Sequence, residues 1–387
     1  MKKTLLDYEY NNKTVLLRCD FNVPIDNGVI TDDKRIIASL KTINYLINNN
    51  AKVIIFSHLG KVKTEEDKLK NSLYPVYNRL KELVDTNVYF SNVTRGTELE
   101  EKVSVLKKGE ILLVENTRYE DYPNKLESGC DEELSKYWAS LGEIFINDAY
   151  GTCHRGHASN VGIARLLPNG CGFLVNEEVS KLDNIMNEET EPFIVVMGGK
   201  KVSDKTLVID NLINKCSKIL IGGGMCFTFL KALGYEIGNS IVDEDNLEYC
   251  KDLLNNFRDK ILLPEDVVTN LGKIKKINEI DNDEAGFDIG PETITIFCNE
   301  LKSAKRVVIN GPMGVFEQEK FAQGTKALLE CLKVNNIKTL IGGGDSAAAV
   351  NLLGYEKDFY HISTGGGATL EYLGGTKLPG IEVINEK

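Results

Sequence analysis

Glycine clusters follow several short apolar runs in the second half of the chain, and their spacing suits the binding of phosphate. Without a Cβ, backbone N–H groups can approach an anion closely, and a helix that begins there adds the positive end of its dipole. One such turn commonly serves only tight packing of a strand on a helix, but three GGG runs with GGKK and NGPMG favour a phosphate site. No GxxxxGK[ST] loop occurs, and no GxGxxG fingerprint follows these runs.

A pair of lysines follows the first of these glycine turns, in GGKKVSDK. Lys201 and Lys205 are four residues apart, so they would share one face of a helix that begins near residue 203 or 204. Two neighbouring ammonium groups are unfavourable unless an anion joins them. Solvated surface lysines are the ordinary alternative for such a pair, and the glycine turn directly upstream favours anion binding.

Two carboxylates lie beside other glycine turns of the same region. Asp345 follows Gly344 directly, where a phosphate-bound Mg²⁺ would take one or two protein carboxylates. An N-cap role also suits Asp345, because aspartate caps helices well. Glu317 follows the NGPMGVF turn and suits hydrogen bonding to ribose hydroxyls, although an exposed loop glutamate is an equally ordinary interpretation.

In the first half of the chain, polar residues of another kind follow the apolar runs. They are Asp20 and Asn22 in RCDFNVP, His58 in SHLGK, Arg118 in ENTRYE, His154 with Arg155 in GTCHRGHAS, and Arg35 after TDD. A lone histidine or arginine is usually structural or solvated. Several cations that converge at successive strand ends require a small anion with more than one charge. This half is therefore predicted to hold an acid or a phosphate.

The elements that position these residues are short runs rich in Val, Ile and Leu, which alternate with amphipathic segments. The runs span 15–19, 53–57, 111–114, 144–147, 194–199, 219–224, 307–311, 339–344 and 361–367, and the amphipathic segments of the first half span 33–47, 72–84 and 132–141. Continuous apolar strands between helices predict parallel sheets covered on both faces, which is the α/β class. Open sheets of this class bind ligands at the carboxyl ends of their strands.

A duplicated segment supports the same architecture. KILIGGGMCFTFLKALGYE from Lys218 aligns with KTLIGGGDSAAAVNLLGYE from Lys338 at an offset of 338 − 218 = 120 residues. We expect a strand, a glycine turn, a helix and a closing Gly-Tyr-Glu in both copies. The turn at 168–170 and the helical spacing that follows it predict two domains joined by a helix over 172–188.

Composition excludes several classes of protein. Of the 387 residues, 42% are hydrophobic, which is typical of a globular chain. The net charge of −11 disfavours the binding of polyanions such as nucleic acids. The nine cysteines show no CxxC spacing, so we expect them to be reduced and mostly buried, and the four histidines lack metal-ligand spacing. No apolar stretch suits a membrane span or a signal peptide, so we expect a cytoplasmic protein that binds no membrane.

Taken together, these motifs resemble those of the phosphoglycerate kinase family. The matches, in order from about residue 15 to 380, are RCDFNVP, SHLGK, LLVENTRY, NDAYGTCHRGHAS, GGKKVSDK, GGGMCFTFLKALG, FDIGPET, NGPMGVFE, FAQGT, GGGDSAAA and HISTGGGATLEYLGG. The resemblance implies two Rossmann-like domains joined by a helix, and reversible phosphoryl transfer between ATP and 3-phosphoglycerate with Mg²⁺, a step of glycolysis. Domain 1–171 would bind 3-phosphoglycerate, domain 189–369 would bind the nucleotide, and tail 370–387 would return to the first domain.

The resemblance also assigns residues to each ligand. It places 3-phosphoglycerate at Asp20, Asn22, Arg35, His58, Lys61, Arg118, His154 and Arg155. It places the nucleotide at Gly198, Gly199, Lys201, Lys205, Gly223, Gly286, Asn310, Glu317, Gly342, Gly343, Gly344, Asp345 and Ser346, with Asp345 on the metal. Arg35, Lys201 and Lys205 would be catalytic. Lys61 departs from the family's SHLGRP, where an arginine stands, and Lys200, Val93, Thr94 and Ile309 depart at other motif positions.

The resemblance and the residues agree that no general base or nucleophile is evident. A carboxylate acceptor is ionised at neutral pH, so direct in-line transfer needs only alignment and neutralisation of charge, on closure of the two domains. Two alternatives remain open: a nicotinamide-dependent dehydrogenase and a non-catalytic nucleotide-binding scaffold. We expect a monomer.

Overall fold

The computed structural model describes all residues, Met1–Lys387, and the chain forms two compact units. The first unit comprises Met1–Ser180 together with Lys377–Lys387, and the second comprises Lys181–Thr376. Each unit contains a six-stranded sheet in which every neighbouring pair is parallel. The predicted α/β class with two parallel sheets is confirmed.

The first unit has its sheet in the order β5-β6-β4-β1-β7-β8. Its strands are β1 (Thr14–Arg18), β2 (Ile25–Asp26), β3 (Val29–Ile30), β4 (Lys52–Phe56), β5 (Val88–Ser91), β6 (Ile111–Val114), β7 (Ile144–Asn147) and β8 (Asn169–Cys171). Its helices are α1 (Lys34–Asn48), α2 (Glu65–Lys70), α3 (Tyr74–Leu83), α4 (Thr97–Val105) and α5 (Glu132–Ala139). Strands β2 and β3 form a short antiparallel hairpin. Helix α6 (Phe173–Asn187) contains the boundary between the units.

Alternate residues of the central strands pack into two different cores, because successive side chains of a strand point to opposite faces. Val15 and Leu17 belong to the core that α1 and α3 cover, whereas Leu16 belongs to the core that α4 and α5 cover. In the second core the fully buried Trp138 donates its Nε1–H to the Thr94 carbonyl at 2.8 Å. Burial on both faces explains why these strands are continuous apolar runs.

The second unit has its main sheet in the order β11-β10-β9-β15-β16-β17 and a separate antiparallel sheet β13-β12-β14. Its strands are β9 (Phe193–Met197), β10 (Lys218–Ile221), β11 (Ile261–Leu262), β12 (Asp266–Thr269), β13 (Ile274–Lys276), β14 (Gly286–Ile289), β15 (Arg306–Asn310), β16 (Lys338–Gly342) and β17 (His361–Ile362). Its helices are α7 (Thr206–Leu212), α8 (Cys226–Ala232), α9 (Leu247–Phe257), α10 (Pro291–Ser303), α11 (Gln323–Val334), α12 (Gly344–Leu353) and α13 (Gly367–Leu373).

The duplicated segments form the same unit of structure twice. In the first copy β10 leads through glycines to α8, and in the second β16 leads to α12. Each copy closes on a left-handed glycine, Gly234 at φ +88° and Gly354 at φ +79°, a conformation that a Cβ disfavours. The copies differ at the turn, because α12 begins at Gly344 while α8 begins only at Cys226.

The C-terminal residues belong to the first unit from Lys377 onward, including helix α14 (Pro379–Glu382). There Lys3 N–H donates to the Asn385 carbonyl at 2.8 Å. Residues 370–376, which the family resemblance placed in the tail, lie in the second unit, where Asn211 Nδ2 donates to the Leu373 carbonyl of α13 at 2.7 Å. All nine cysteines are free, and none of the helices is both long and apolar enough to cross a membrane.

Candidate functional site

The predicted polar residues of the first unit follow four strands that are neighbours in the sheet, β6, β4, β1 and β7. Asp20 and Asn22 come after β1, His58 after β4 and Arg118 after β6. His154 and Arg155 come a few residues after β7. Because parallel strands end at the same edge of a sheet, these side chains are supplied to one side of the unit.

An ion pair joins two of these residues, and a hydrogen bond joins the loops that follow β1 and β4. Arg35, in the first turn of α1, donates from Nη1 to Asp20 Oδ2 at 2.9 Å. Asn22 Oδ1 accepts from the Gly60 N–H at 2.9 Å, which ties the loop after β1 to the loop after β4. Lys61, next to Gly60, is exposed. The Asp20 and Asn22 predictions thus fall at a structured junction of two loops.

The electrostatics of this region are dominated by arginine. His58 is 6% exposed, and burial, then the nearby positive charges of Arg18, Arg118, Arg155 and Arg35, hold the pKa of its imidazole well below the usual value. Burial and the same kind of cationic surroundings lower the pKa of His157 to about 2. His58 is therefore neutral at physiological pH, and guanidinium groups supply the positive charge.

A buried arginine and a buried carboxylate beneath this region were missed in the sequence. Arg18 is fully buried and donates from Nε to Ser159 Oγ at 2.8 Å, and Ser159 Oγ donates to Glu127 at 2.5 Å. Burial lowers the pKa of Arg18, while the Glu127 charge opposes that shift. The sequence did carry an indication, because Arg18 is the one charged residue of β1.

Two further side chains keep polar atoms without a protein partner. Arg118 donates from Nη1 to Asp121 at 2.8 Å, while its Nε is buried and makes no hydrogen bond. His154 Nε2 accepts from Arg155 Nε at 3.0 Å, while its Nδ1 is buried and makes none. Buried donors without partners are costly unless a ligand or water satisfies them, so these atoms suit a ligand with several oxygens.

In the second unit, glycines let three turns approach each other closely. A Cβ on Gly311, which has φ +103°, would lie 2.2 Å from the Gly198 carbonyl oxygen. A Cβ on Gly223 would lie 2.7 Å from the Gly199 nitrogen. Close packing of the turns therefore requires glycine at these positions, as the sequence analysis allowed. A contact with phosphate would be an additional reason.

A cavity of about 640 Å³ opens beside these turns. Its lining combines glycine backbone, an apolar wall and two carboxylates, and consists of Gly199, Lys200, Gly223, Gly224, Asn239, Ile241, Ala285, Gly286, Phe287, Pro312, Gly314, Val315, Phe316, Glu317 and Asp345. This volume is in the usual range for small-molecule sites. Five predicted nucleotide residues line it: Gly199, Gly223, Gly286, Glu317 and Asp345.

Other predicted nucleotide residues do not line the cavity but form hydrogen bonds within the same unit. Lys205 Nζ donates to Asn310 Oδ1, and burial lowers the pKa of Lys205, which the charges of Asp204 and Asp345 oppose. Asn310 Nδ2 is buried without a partner, and Ser346 Oγ accepts from the Gly311 N–H at 2.6 Å. Gly342 ends β16, and Gly343 at φ +91° precedes α12.

Two of the sequence predictions for this unit are wrong. Helix α7 begins at Thr206, so Lys201 lies in the preceding turn and does not share a helix face with Lys205. The turn that contains Lys201 is fixed by a hydrogen bond from the Ser203 N–H to Asp243 Oδ2 at 2.9 Å. The N-cap alternative for Asp345 is also wrong, because Gly343 occupies the cap and Asp345 is in the first turn of α12.

The side chains alone do not form a metal site, since no group of three or more His, Cys, Asp or Glu converges anywhere in the chain. Asp345 contributes one carboxylate to the cavity. That donor set fits an ion such as Mg²⁺, which is usually held by one or two carboxylates together with substrate phosphates and waters.

Comparisons with known proteins agree on one family. The model of the family described as phosphoglycerate kinase matches residues 5–376. Curated relatives named phosphoglycerate kinase are 53% identical in Enterococcus faecalis over 395 residues and 52% identical in Staphylococcus aureus over 396, each covering 100% of both chains. The phosphoglycerate kinase structure from Coxiella burnetii has a TM-score of 0.88 at 34% identity and covers 99% of this chain and 98% of its own. That from Pyrococcus horikoshii has a TM-score of 0.85 at 32% identity and covers 98% of each.

Proposed function

Because the chain belongs to the phosphoglycerate kinase family and is therefore a phosphotransferase, we propose that its first unit binds 3-phosphoglycerate and its second binds the nucleotide. The reaction is reversible transfer of a phosphoryl group between ATP and the carboxylate of 3-phosphoglycerate. A nicotinamide-dependent dehydrogenase is not favoured, since the chain lacks the dinucleotide fingerprint and matches a kinase family along its length.

One observation carries the assignment of the acid site. Four arginines surround the buried, neutral His58 closely enough to depress its pKa, and the predicted residues follow four neighbouring strands. Guanidinium groups bind carboxylate and phosphate through paired N–H donors. A small acid with a carboxylate and a phosphate would satisfy the unpartnered Nε of Arg118 and Nδ1 of His154. We assign it to Asp20, Asn22, Arg35, His58, Lys61, Arg118, His154 and Arg155.

The cavity of the second unit suits a nucleotide with its base on the apolar wall. Phe287 and Phe316 line that wall, and Glu317 lies beside them, in position to accept hydrogen bonds from ribose. The phosphates would lie toward Gly199 and Asp345, where backbone N–H groups and the N-terminus of α12 favour negative charge. Lys201 and Lys205 would bind the phosphate oxygens.

The transfer step needs no proton removal, because the accepting carboxylate is ionised at neutral pH. We assign neutralisation of the moving phosphoryl group to Arg35 from the acid side and to Lys201 and Lys205 from the nucleotide side. Mg²⁺, held by Asp345 together with phosphate oxygens, would add positive charge there when bound. The protein would also align the phosphoryl donor with the accepting carboxylate in a site that excludes water.

With the two substrates on different units, transfer requires the units to close over them. Small-angle X-ray scattering should show a smaller radius of gyration with both 3-phosphoglycerate and MgATP than with either alone. An unchanged scattering curve with both would contradict closure.

The function is tested by a coupled assay of ADP formation with MgATP and 3-phosphoglycerate. We expect turnover that requires the acid, is abolished by EDTA and returns with excess Mg²⁺. ADP formation that does not depend on 3-phosphoglycerate would overturn the assignment, and NADH oxidation without ATP would favour the dehydrogenase alternative.

We further propose that the protein acts in the cytoplasm as a monomer without nucleic-acid or membrane partners. A single species of about 43 kDa in light scattering would agree with the monomer.

A further inference from the structure

The side-chain amide of Asn116 makes four hydrogen bonds although Asn116 has no exposed surface. Its Oδ1 accepts from the Leu59 N–H at 3.1 Å and from the Arg118 N–H at 3.0 Å. Its Nδ2 donates to the Leu59 carbonyl at 2.7 Å and to the Asn71 carbonyl at 2.8 Å. The capacity of one amide group for two donated and two accepted hydrogen bonds is therefore fully used.

The preceding residue, Glu115, is 3% exposed and holds the far end of the same loop. Its Oε1 accepts from the Leu73 N–H and from the Asn116 N–H, both at 2.7 Å. Its Oε2 accepts from Ser72 Oγ at 2.6 Å. Two consecutive residues after β6 thus bind both ends of the loop over 59–73, which includes the short helix α2.

This loop borders the acid pocket. It starts directly after His58, its Gly60 N–H donates to Asn22, and Lys61 is its third residue. Asn116 also fixes the backbone of Arg118, two residues further on. The Asn116 amide therefore joins the strand end that supplies His58 to the strand end that supplies Arg118.

We propose that Glu115 and Asn116 are positioning residues that fix His58, Lys61 and Arg118 relative to each other in the acid pocket. The proposal rests on the proposed function, because it takes that pocket to be the 3-phosphoglycerate site. Neither side chain touches the substrate. They act by holding the loop over 59–73 in place before the acid arrives, so that binding does not have to order it.

Asn116→Asp tests the amide with almost no change of shape. Aspartate keeps an acceptor for the Leu59 and Arg118 N–H groups, but it places an oxygen against the Leu59 and Asn71 carbonyls, where the amide donates. Loss of both donors, with repulsion in their place, should release the loop. Asn49→Asp is the matched control, since the Asn49 amide donates only within the exposed end of α1, to Tyr45 at 2.8 Å.

In Asn116→Asp we expect the KM for 3-phosphoglycerate to rise by at least about tenfold while the KM for ATP changes by less than about twofold. Amide hydrogen exchange over residues 59–73 of the free protein should become faster. Asn49→Asp should leave both KM values and that exchange unchanged. A folded Asn116→Asp variant with the wild-type KM for the acid, or with wild-type exchange in the loop, would overturn the proposal.

If Asn116→Asp does not fold, Glu115 provides the same test. Glu115→Gln should be near wild type, because one oxygen can still accept both N–H groups and the new amide can donate to Ser72 Oγ. Glu115→Ala should raise the KM for the acid and speed loop exchange, and equal behaviour of the two variants would contradict the proposal. Failure of the proposed function is distinguishable, since the wild-type protein would then show no turnover that depends on 3-phosphoglycerate.

Discussion

Asp20 Oδ2 accepts a hydrogen bond from Arg35 Nη1 at 2.9 Å. Asp20 is mostly buried, with 10% of its side chain exposed, while the Arg35 side chain is 40% exposed. An accessible guanidinium is thus held by a mostly buried carboxylate that follows the carboxyl end of β1. The pair orients Arg35 in the absence of a ligand, which would lower the entropy cost of binding an anion through Arg35.

This pairing predicts the effect of Asp20→Asn. The amide keeps the shape of the carboxylate but removes its charge, so Arg35 should lose the partner that orients it. We expect kcat/KM for 3-phosphoglycerate to fall by about 10-fold or more, and kcat/KM for ATP at saturating acid to fall as well if Arg35 faces the transferred group. Asp26→Asn, at the exposed end of β2, serves as the control. Equal kinetics of both variants would contradict the role of the pair.

Close packing of the glycine turns predicts a large effect for Gly311→Ala. The new Cβ would lie 2.2 Å from the Gly198 carbonyl oxygen in a backbone at φ +103°. We expect a loss of at least about 2 kcal/mol in the free energy of unfolding, from strain and overpacking together. Denaturant titration measures the loss, and ATP affinity should fall with it.

Gly272→Ala separates the two causes. Gly272 has φ +78°, but a Cβ there meets nothing within 4 Å, so only backbone strain applies. Its cost should be about 1–2 kcal/mol, with no change in ATP affinity. If the two alanine variants lose the same free energy of unfolding and bind ATP equally well, close packing at Gly311 does not determine stability or ATP binding.

The carboxylate of Asp148 should make stability depend on pH. Asp148 is fully buried, and burial raises its pKa from 3.8 to about 7, although Leu174 N–H donates to its Oδ1 at 2.8 Å. The unfolded chain loses this proton near pH 4 and the folded chain near pH 7, so the free energy of unfolding falls as pH rises between them.

Asp148→Asn keeps the acceptor for Leu174 and removes the titration. Relative to wild type, the variant should gain about 1–3 kcal/mol in the free energy of unfolding at pH 8, and the difference should shrink toward pH 4. Urea titrations of both proteins at several pH values give the comparison. A difference that is the same at every pH would show that Asp148 does not titrate in this range.

The sequence predicts the central strands well, because strands buried on both faces are continuous runs of apolar residues. Strands β5, β8 and β11 were missed, and the turn predicted at 168–170 is wrong, since β8 begins at Asn169. Strands β6 and β7 coincide with the predicted runs, and β1, β4, β15 and β16 begin one residue before theirs. The predicted cluster of cations likewise follows from where parallel strands end. These features depend on local pattern and on one rule of sheet topology.

Other features could not be predicted because they depend on contacts between distant segments. The antiparallel sheet β13-β12-β14 consists of short strands without a clear apolar period. The start of α7 at Thr206 removed the predicted helical pairing of the two lysines. Asn116 and Glu115 were not singled out, since their partners in the segment over 59–73 lie more than 40 residues away in the chain. The buried pair of Arg18 and Ser159 is separated by 141 residues.

Lys61 stands where the family motif has arginine, so we expect Lys61→Arg to bind 3-phosphoglycerate more tightly. An ammonium group offers a point charge where a guanidinium offers a planar pair of donors. Lys61→Arg should lower the KM for 3-phosphoglycerate by about two- to fivefold without changing the KM for ATP. Lys63→Arg, two residues away and also exposed, should change neither. An unchanged KM in Lys61→Arg would place residue 61 outside contact with the acid.

We propose that charge neutralisation by Arg35 and Lys201, with no general base, makes phosphoryl transfer possible. This role is tested by measuring kcat at saturating substrates for Arg35→Ala and Lys201→Ala, with Lys251→Ala, on the exposed side of α9, as the control. We predict that each of the first two lowers kcat by at least about 100-fold, the scale of removing one charge-stabilising donor, while the control is unchanged. Losses in kcat below about tenfold at both positions would show that Arg35 and Lys201 do not neutralise the transferred phosphoryl group.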